Sequence, residues 1–95
     1  MIVHWTETAL SHLQSIHDYI AKDSKRNADR FVDRITRKSQ QIGTWPMAGS
    51  VVPEFESPDV REIFEKSYRI VYRILPDRVD VIAVIHGARK LPPNL

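Results

Sequence analysis

The sequence predicts an α+β fold in the order β-α-α-β-β-β, with an antiparallel helix hairpin packed on one face of a small, mostly antiparallel sheet. Two observations predict this class. Residues 7–42 carry apolar side chains at helical spacing, with one interruption. Residues 60–86 carry strand-like apolar patterns with a turn between them. The length of 95 residues suits a single domain, residues 1–95, with one modest core.

The helical part follows a short first strand, Ile2–Trp5. The first helix is predicted from about Glu7 to Lys22, because its apolar residues form one stripe. Asp23-Ser24 breaks the pattern and can cap a second helix. That helix is predicted from about Lys25 to Ile42, with Gly43 as a natural stop. Because the link is so short, the two helices should run antiparallel.

Three further strands are predicted after a long, proline-containing connection, at residues 60–66, 68–75 and 79–86. Trp45 and Phe55 are expected to pin the connection to the core. Pro76-Asp77-Arg78 has the composition of a tight turn. The last strand is apolar on both faces apart from Asp80, which is typical of a central strand. Residues 91–95 are predicted as a short, stiff, non-helical tail.

Composition excludes several classes of protein. Cysteine is absent, so there are no disulfides, thiolate nucleophiles or cysteine-ligated zinc sites. No apolar run is long enough to span a membrane, and the N-terminus lacks a signal-peptide pattern, so we expect a cytoplasmic protein. The net charge of +2 is modest for a protein that binds nucleic acid. Its distribution is uneven, since six Lys/Arg and two acids follow residue 65.

Arginine and lysine residues of the predicted hairpin are the main candidate binding groups. Arg69 and Arg73 lie on one strand face, and two cations are costly to bury without partners, so this face is expected to be open to water or to an anionic partner. Phosphates or partner carboxylates would suit such cations. The candidate partner-binding residues are Arg69, Arg73, Arg89 and Lys90, with Arg61 as a weaker one. The alternative is that they pair with acids of this chain, namely Glu54, Glu56, Glu62 and Glu65.

The histidines and glycines favour neither a metal nor a cofactor. His12 and His17 are five residues apart on a helix, which does not place them on one face, so no metal site is expected. His86 could act as a general acid or base, but a strand-end histidine bonded to backbone is favoured because no carboxylate is placed to orient it. Three glycines and no phosphate loop argue against dinucleotide binding. The basic outer face of helix two is mainly a solvated surface, with nucleic-acid binding as the alternative.

The last three strands carry a family resemblance. The segments Val60-Arg61-Glu62-Ile63, Tyr68-Arg69-Ile70-Val71-Tyr72-Arg73 and Val81 to Arg89, in this element order, resemble toxins of the RelE/ParE superfamily. These are the toxins of type II toxin–antitoxin pairs, often called plasmid stabilisation proteins. RelE-like members are ribosome-dependent mRNA endonucleases, whereas ParE-like members inhibit DNA gyrase. The resemblance implies a partner antitoxin whose C-terminal segment wraps the helix hairpin and sheet.

Residue by residue, the resemblance covers only part of the nuclease set. The arginine after the strand tyrosine corresponds to Arg69, and the arginine after the last strand corresponds to Arg89. The paired lysines of the nucleases are missing, and Glu62 in that region would repel a phosphate. Leu95 stands where the nucleases have a C-terminal tyrosine.

The resemblance therefore favours a growth-inhibiting ParE-like toxin that acts on gyrase by binding and needs no catalytic residues. The alternative is a RelE-like endonuclease acting on mRNA at the translating ribosome, with Arg61, Arg69, His86 and Arg89 as its candidate catalytic groups. A further alternative is a binding module without toxicity.

Overall fold

The computed structural model describes residues 1–91, so the predicted tail beyond Leu91 lies outside the described residues. Seven main elements follow one another along the chain. They are β1 (Ile2–Trp5), α1 (Glu7–Ala21), α2 (Lys25–Thr44), β2 (Ser50–Val51), β3 (Val60–Glu65), β4 (Tyr68–Ile74) and β5 (Arg78–His86). The α+β class and the helix hairpin are confirmed.

The sheet is mixed and has the strand order β1-β5-β4-β3-β2. β1 runs parallel to β5, and the other neighbouring pairs are antiparallel. The apolar run of residues 79–85 thus lies between β1 and β4, as its pattern predicted. The five-stranded count corrects the predicted four strands, because Ser50 and Val51 pair with Glu62 and Arg61. A strand of two residues is too short to show the alternation of side chains by which a strand is recognised in a sequence.

Both helices begin with a side-chain cap, and the cap at Ser24 was predicted. The Thr6 hydroxyl accepts a hydrogen bond from the Ala9 amide at 3.2 Å, and the Ser24 hydroxyl accepts one from Asn27 at 3.1 Å. Gly43 does not end α2, which continues to Thr44. Its lack of a side chain lets β1 come close, since a Cβ there would lie 2.6 Å from the Met1 carbonyl oxygen.

Two apolar clusters cover the two faces of the sheet. The larger lies between the helices and the sheet and is centred on Phe31, Ile35, Ile42, Ile70, Tyr72, Val79, Val81 and Val84. The smaller lies on the opposite face and contains Val52, Val60, Val71, Ile82, Ala83 and Leu91, with Phe55 packed against it. Phe55 therefore anchors the long connection as predicted. The prediction for Trp45 is wrong, because that side chain is 68% exposed.

An irregularity in β5 makes the second cluster possible. Val71 pairs with Ala83, whereas Tyr72 pairs with Val81, so Ile82 is an extra residue in β5. Such a bulge interrupts the strict alternation of a strand. Ile82 and Ala83 consequently both pack into the smaller cluster.

Candidate functional site

Arg69 is the centre of a buried ion cluster on the second face of the sheet. Its side chain is 7% exposed, and Nε donates to the Glu62 carboxylate. The two terminal nitrogens donate to the two carboxylate oxygens of Glu54, each at 2.9 Å. Nη1 also donates to the Arg89 carbonyl at 3.2 Å, and the Leu91 amide donates to Glu54 at 3.2 Å. We call Arg69, Glu54 and Glu62 the ion triad.

The ion triad shifts the acid–base behaviour of its members. The hydrogen bonds from Arg69 hold the pKa of Glu54 at about 2, well below its usual value. The Glu54 and Glu62 carboxylates together raise the pKa of Arg69. The expectation that the Arg69 face is open to water is wrong, because carboxylates of the same chain satisfy the guanidinium. A direct contact between Arg69 and a partner stays a prediction.

Arg61 and Arg73 have different surroundings. Arg61 Nε donates to the Pro58 carbonyl at 3.0 Å, and its Nη1 donates to the carbonyl of Gly49 at 2.9 Å. Arg61 thus ties the connection before β3 to the sheet. Arg73 is half-buried at the other end of β4, opposite Val60, and within residues 1–91 it forms no ion pair.

Three exposed cations lie at the end of the sheet where β5 stops, apart from those on the outer face of α2. Lys66, in the β3–β4 turn, and Arg89 and Lys90, after β5, are all exposed. The turn and the segment after β5 are joined, since the Gly87 amide donates to the Ser67 carbonyl at 2.7 Å. Phe64 is 53% exposed and lies against Gly87, where a Cβ would be 3.4 Å from its ring. We call Phe64, Lys66, Arg89 and Lys90 the basic end.

His86 lies near the basic end but has the surroundings of a structural residue. Its Nδ1 accepts a hydrogen bond from the Ala88 amide at 3.2 Å. Its ring packs edge-to-face on Tyr68, with centroids 5.6 Å apart. No carboxylate within residues 1–91 bonds to the ring. These contacts agree with the interpretation of a strand-end histidine bonded to backbone.

The remaining histidines have separate partners. His17 bonds to Asp29 at 2.9 Å, which raises the pKa of the histidine, and burial lowers the pKa of His12. Within residues 1–91, no three His, Asp or Glu side chains are grouped to hold a metal ion. In the same part of the chain, no helix is long and apolar enough to cross a membrane.

An open groove of about 570 Å³ runs between α1 and α2. Its apolar lining includes Leu10, Leu13 and Val32, and Leu10 is 51% exposed. Asp29 and Asp33 line the groove and form i,i+4 pairs along α2, to Lys25 at 3.1 Å and to Arg37 at 3.2 Å. We call this feature the interhelical groove.

Sequence reasoning missed the roles of Glu54 and Phe64. Glu54 was named only as one of four acids that could neutralise the arginines, and no local pattern distinguishes it from Glu56. Phe64 had a usable signal, because strand alternation puts it on the face of Glu62 and Val60, at the end where the strand runs out.

A helix hairpin packed on a small, mostly antiparallel sheet is the fold expected from the resemblance to toxins of the RelE/ParE superfamily. The family model described as "ParE toxin of type II toxin-antitoxin system, parDE" matches residues 3–91. The chain therefore belongs to the ParE toxin family, and membership implies an antitoxin partner.

Two relatives agree with this assignment. The chain is 31% identical over 93 residues to "Putative toxin Y4kP" of Sinorhizobium fredii, covering 98% of this chain and 95% of that protein. A solved structure described as "Chromosomal ParDE TA system from P. aeruginosa" superposes with a TM-score of 0.75 at 21% identity, over 90% of this chain and 95% of that one. At that identity the superposition establishes the fold.

Proposed function

We propose that this ParE-family toxin stops growth by binding DNA gyrase through protein–protein contact, and that a cognate antitoxin neutralises it. The observation that carries the proposal is the division of the cations. Arg61 and Arg69 are held by groups of this chain, while Arg89 and Lys90 are exposed in the segment after β5, whose Gly87 lies against the exposed Phe64 ring. An exposed aromatic ring among cations suits an acidic protein surface that also offers apolar contact.

The same division argues against mRNA cleavage. Cleavage at a ribose 2′-hydroxyl needs cations on the phosphate and an acid–base pair at the two oxygens. Of the four candidate catalytic groups, Arg61 and Arg69 would first have to leave their internal partners. His86 has only a backbone amide at Nδ1. Glu62 is buried against Arg69 and already supplies a carboxylate to that guanidinium, so a phosphate would have to displace it.

The antitoxin is proposed to occupy the interhelical groove. A helix laid between α1 and α2 would bury Leu10 and Val32, and helix-in-groove binding uses apolar anchors at helical spacing. Asp29 and Asp33 would then face the edge of the bound helix. The groove and the basic end are separate surfaces, so neutralisation would require a further, acidic part of the antitoxin to cover Arg89 and Lys90.

The test is supercoiling by purified gyrase, titrated with the toxin alone and with the toxin–antitoxin complex. We expect inhibition by the toxin and recovery when the antitoxin is present. Arg89→Ala/Lys90→Ala should weaken inhibition at least tenfold. Arg37→Ala/Lys38→Ala is the matched control, since it removes the same adjacent pair of residue types from α2.

Two results would contradict the proposal. One is undiminished supercoiling with a folded toxin that still arrests growth, which would direct attention to mRNA cleavage on translating ribosomes. The other is an equal loss of inhibition in both double variants, which would mean that total charge rather than the basic end matters.

A further inference from the structure

The backbone that carries Arg89 and Lys90 is held on both sides by the ion triad. Before Lys90, the Arg89 carbonyl accepts from Arg69 Nη1 at 3.2 Å. After it, the Leu91 amide donates to Glu54 at 3.2 Å. The Leu91 side chain, 6% exposed, anchors the same segment in the smaller apolar cluster. The two exposed cations thus extend from a backbone that the partly buried Arg69–Glu54 ion pair holds.

The composition of the ion triad is hard to explain by stability alone. One guanidinium faces two carboxylates, of which Glu62 is buried at 7% exposure and Glu54 reaches the surface at 27% exposure. The cost of removing charges from water can offset the attraction within a buried ion cluster. Apolar residues of similar size in its place often give a fold of equal or greater stability. What the triad supplies, and an apolar cluster would not, is a pair of directional bonds to the backbone at Arg89 and Leu91.

We propose that Arg69 and Glu54 are positioning residues for the Arg89–Lys90 pair, holding it in the geometry that binds the target. This inference rests on the proposed function, in which that pair contacts gyrase. Binding costs less when a contacting segment is already ordered, because less conformational freedom is lost on association. Without the Arg69–Glu54 ion pair, the buried Leu91 side chain would be the main contact that holds the segment. The Arg89 and Lys90 side chains would then sample many positions.

The experiment is a double-mutant cycle in the supercoiling assay. Glu54→Ala should weaken inhibition about tenfold in the otherwise unchanged toxin. In the Arg89→Ala/Lys90→Ala background, the same change should cost less than about twofold, because the cations it positions are gone. Glu54→Gln should fall between, since an amide oxygen can still accept from Leu91. Glu56→Ala is the matched control, an exposed acid of the same connection, and should leave inhibition unchanged.

Hydrogen exchange at the Leu91 amide reports, in the absence of gyrase, how firmly the segment that carries Arg89 and Lys90 is held. Glu54→Ala should raise its exchange rate at least tenfold while the amides of Ile70 and Val71 in β4 keep theirs. Unchanged exchange at Leu91, or an equal loss of inhibition in both backgrounds of the cycle, overturns the positioning role. Failure of the unaltered toxin to inhibit gyrase instead refutes the proposed function, and the target-binding part of this inference with it.

Discussion

The hydroxyl of Tyr72 donates a hydrogen bond to the Pro46 carbonyl at 2.6 Å, so a side chain of β4 organises the connection that follows α2. The same oxygen accepts from the buried Gly49 amide at 3.1 Å. Gly49 is required there, because a Cβ would lie 2.3 Å from the Tyr72 hydroxyl oxygen. Residues 46–49 lead directly into β2, so these two hydrogen bonds help to position β2 for its pairing with β3.

Tyr72→Phe is expected to lower the free energy of unfolding by about 1–3 kcal/mol, because a buried amide loses its acceptor and a carbonyl loses its donor. Chemical denaturation with an unchanged slope would measure the effect. Tyr19→Phe, at a side chain that is 70% exposed, is the control and should change little. Equal stability of Tyr72→Phe and the parent would show that water replaces the hydroxyl.

Acid is expected to destabilise the fold through Glu54. The folded-state pKa of this carboxyl is about 2, against an ordinary 4.5, so its contribution is complete above pH 4.5 and is lost as the pH falls towards 2. Because the side chain is 27% exposed, we expect a loss on the order of 1–2 kcal/mol rather than the full value of the shift. Denaturation series at several pH values would show it, and Glu54→Gln should remove this part of the pH dependence. The prediction fails if the two proteins lose stability in parallel.

Lys66→Gly is expected to preserve or raise stability, by up to about 1 kcal/mol, since left-handed backbone strains a residue that has a Cβ. Lys66 has a φ of 53° in the β3–β4 turn and is the single non-glycine residue with positive φ among residues 1–91. Ser67→Gly, next to it, should instead cost about 0.5–1 kcal/mol, because it only adds freedom to the unfolded chain. Thermal melts of the two variants would show whether each change in stability is a gain or a loss. Destabilisation of similar size in both would argue against strain at Lys66.

Leu10→Asp is expected to weaken antitoxin binding at least tenfold while gyrase inhibition by the free toxin is retained. The side chain is 51% exposed in the interhelical groove, so the change should leave folding intact and add a desolvation cost only in the complex. Titration calorimetry with the antitoxin measures the affinity. Tyr19→Asp, an exposed position on α1 outside the groove lining, is the control. Equal weakening in both variants would move the antitoxin site away from the groove.

His86→Ala is expected to leave growth arrest and gyrase inhibition within about twofold of the parent. The reason is that the ring accepts a hydrogen bond from backbone and packs edge-to-face on Tyr68, which are structural contacts. Growth of cells expressing the variant, with circular dichroism of the purified protein, measures this. Full rescue of growth by a folded His86→Ala toxin would contradict a binding mechanism and favour catalysis.

The elements were predictable because each depends on residues close together along the chain. The break at Asp23-Ser24 separates the two helices, and Ser24 caps α2 as predicted. Strands β3 and β4 follow from their strand-like apolar patterns, and β5 follows from its nearly continuous apolar run after the turn at residues 76–78. β2 was missed because its place is set by Tyr72 and by pairing with β3, both remote in sequence.

The sequence by itself determined the helix hairpin, the antiparallel strands and the accumulation of cations after residue 65. Only the tertiary structure decided which cations are available to a partner. Glu54 lies 15 residues before Arg69, and the Arg89 carbonyl 20 residues after it. Strand pairing sets β4 beside β3 and β5, and register depends on pairing between strands rather than on neighbours in the chain. That is why Arg69, an apparent surface cation in the sequence, is an interior one in the fold.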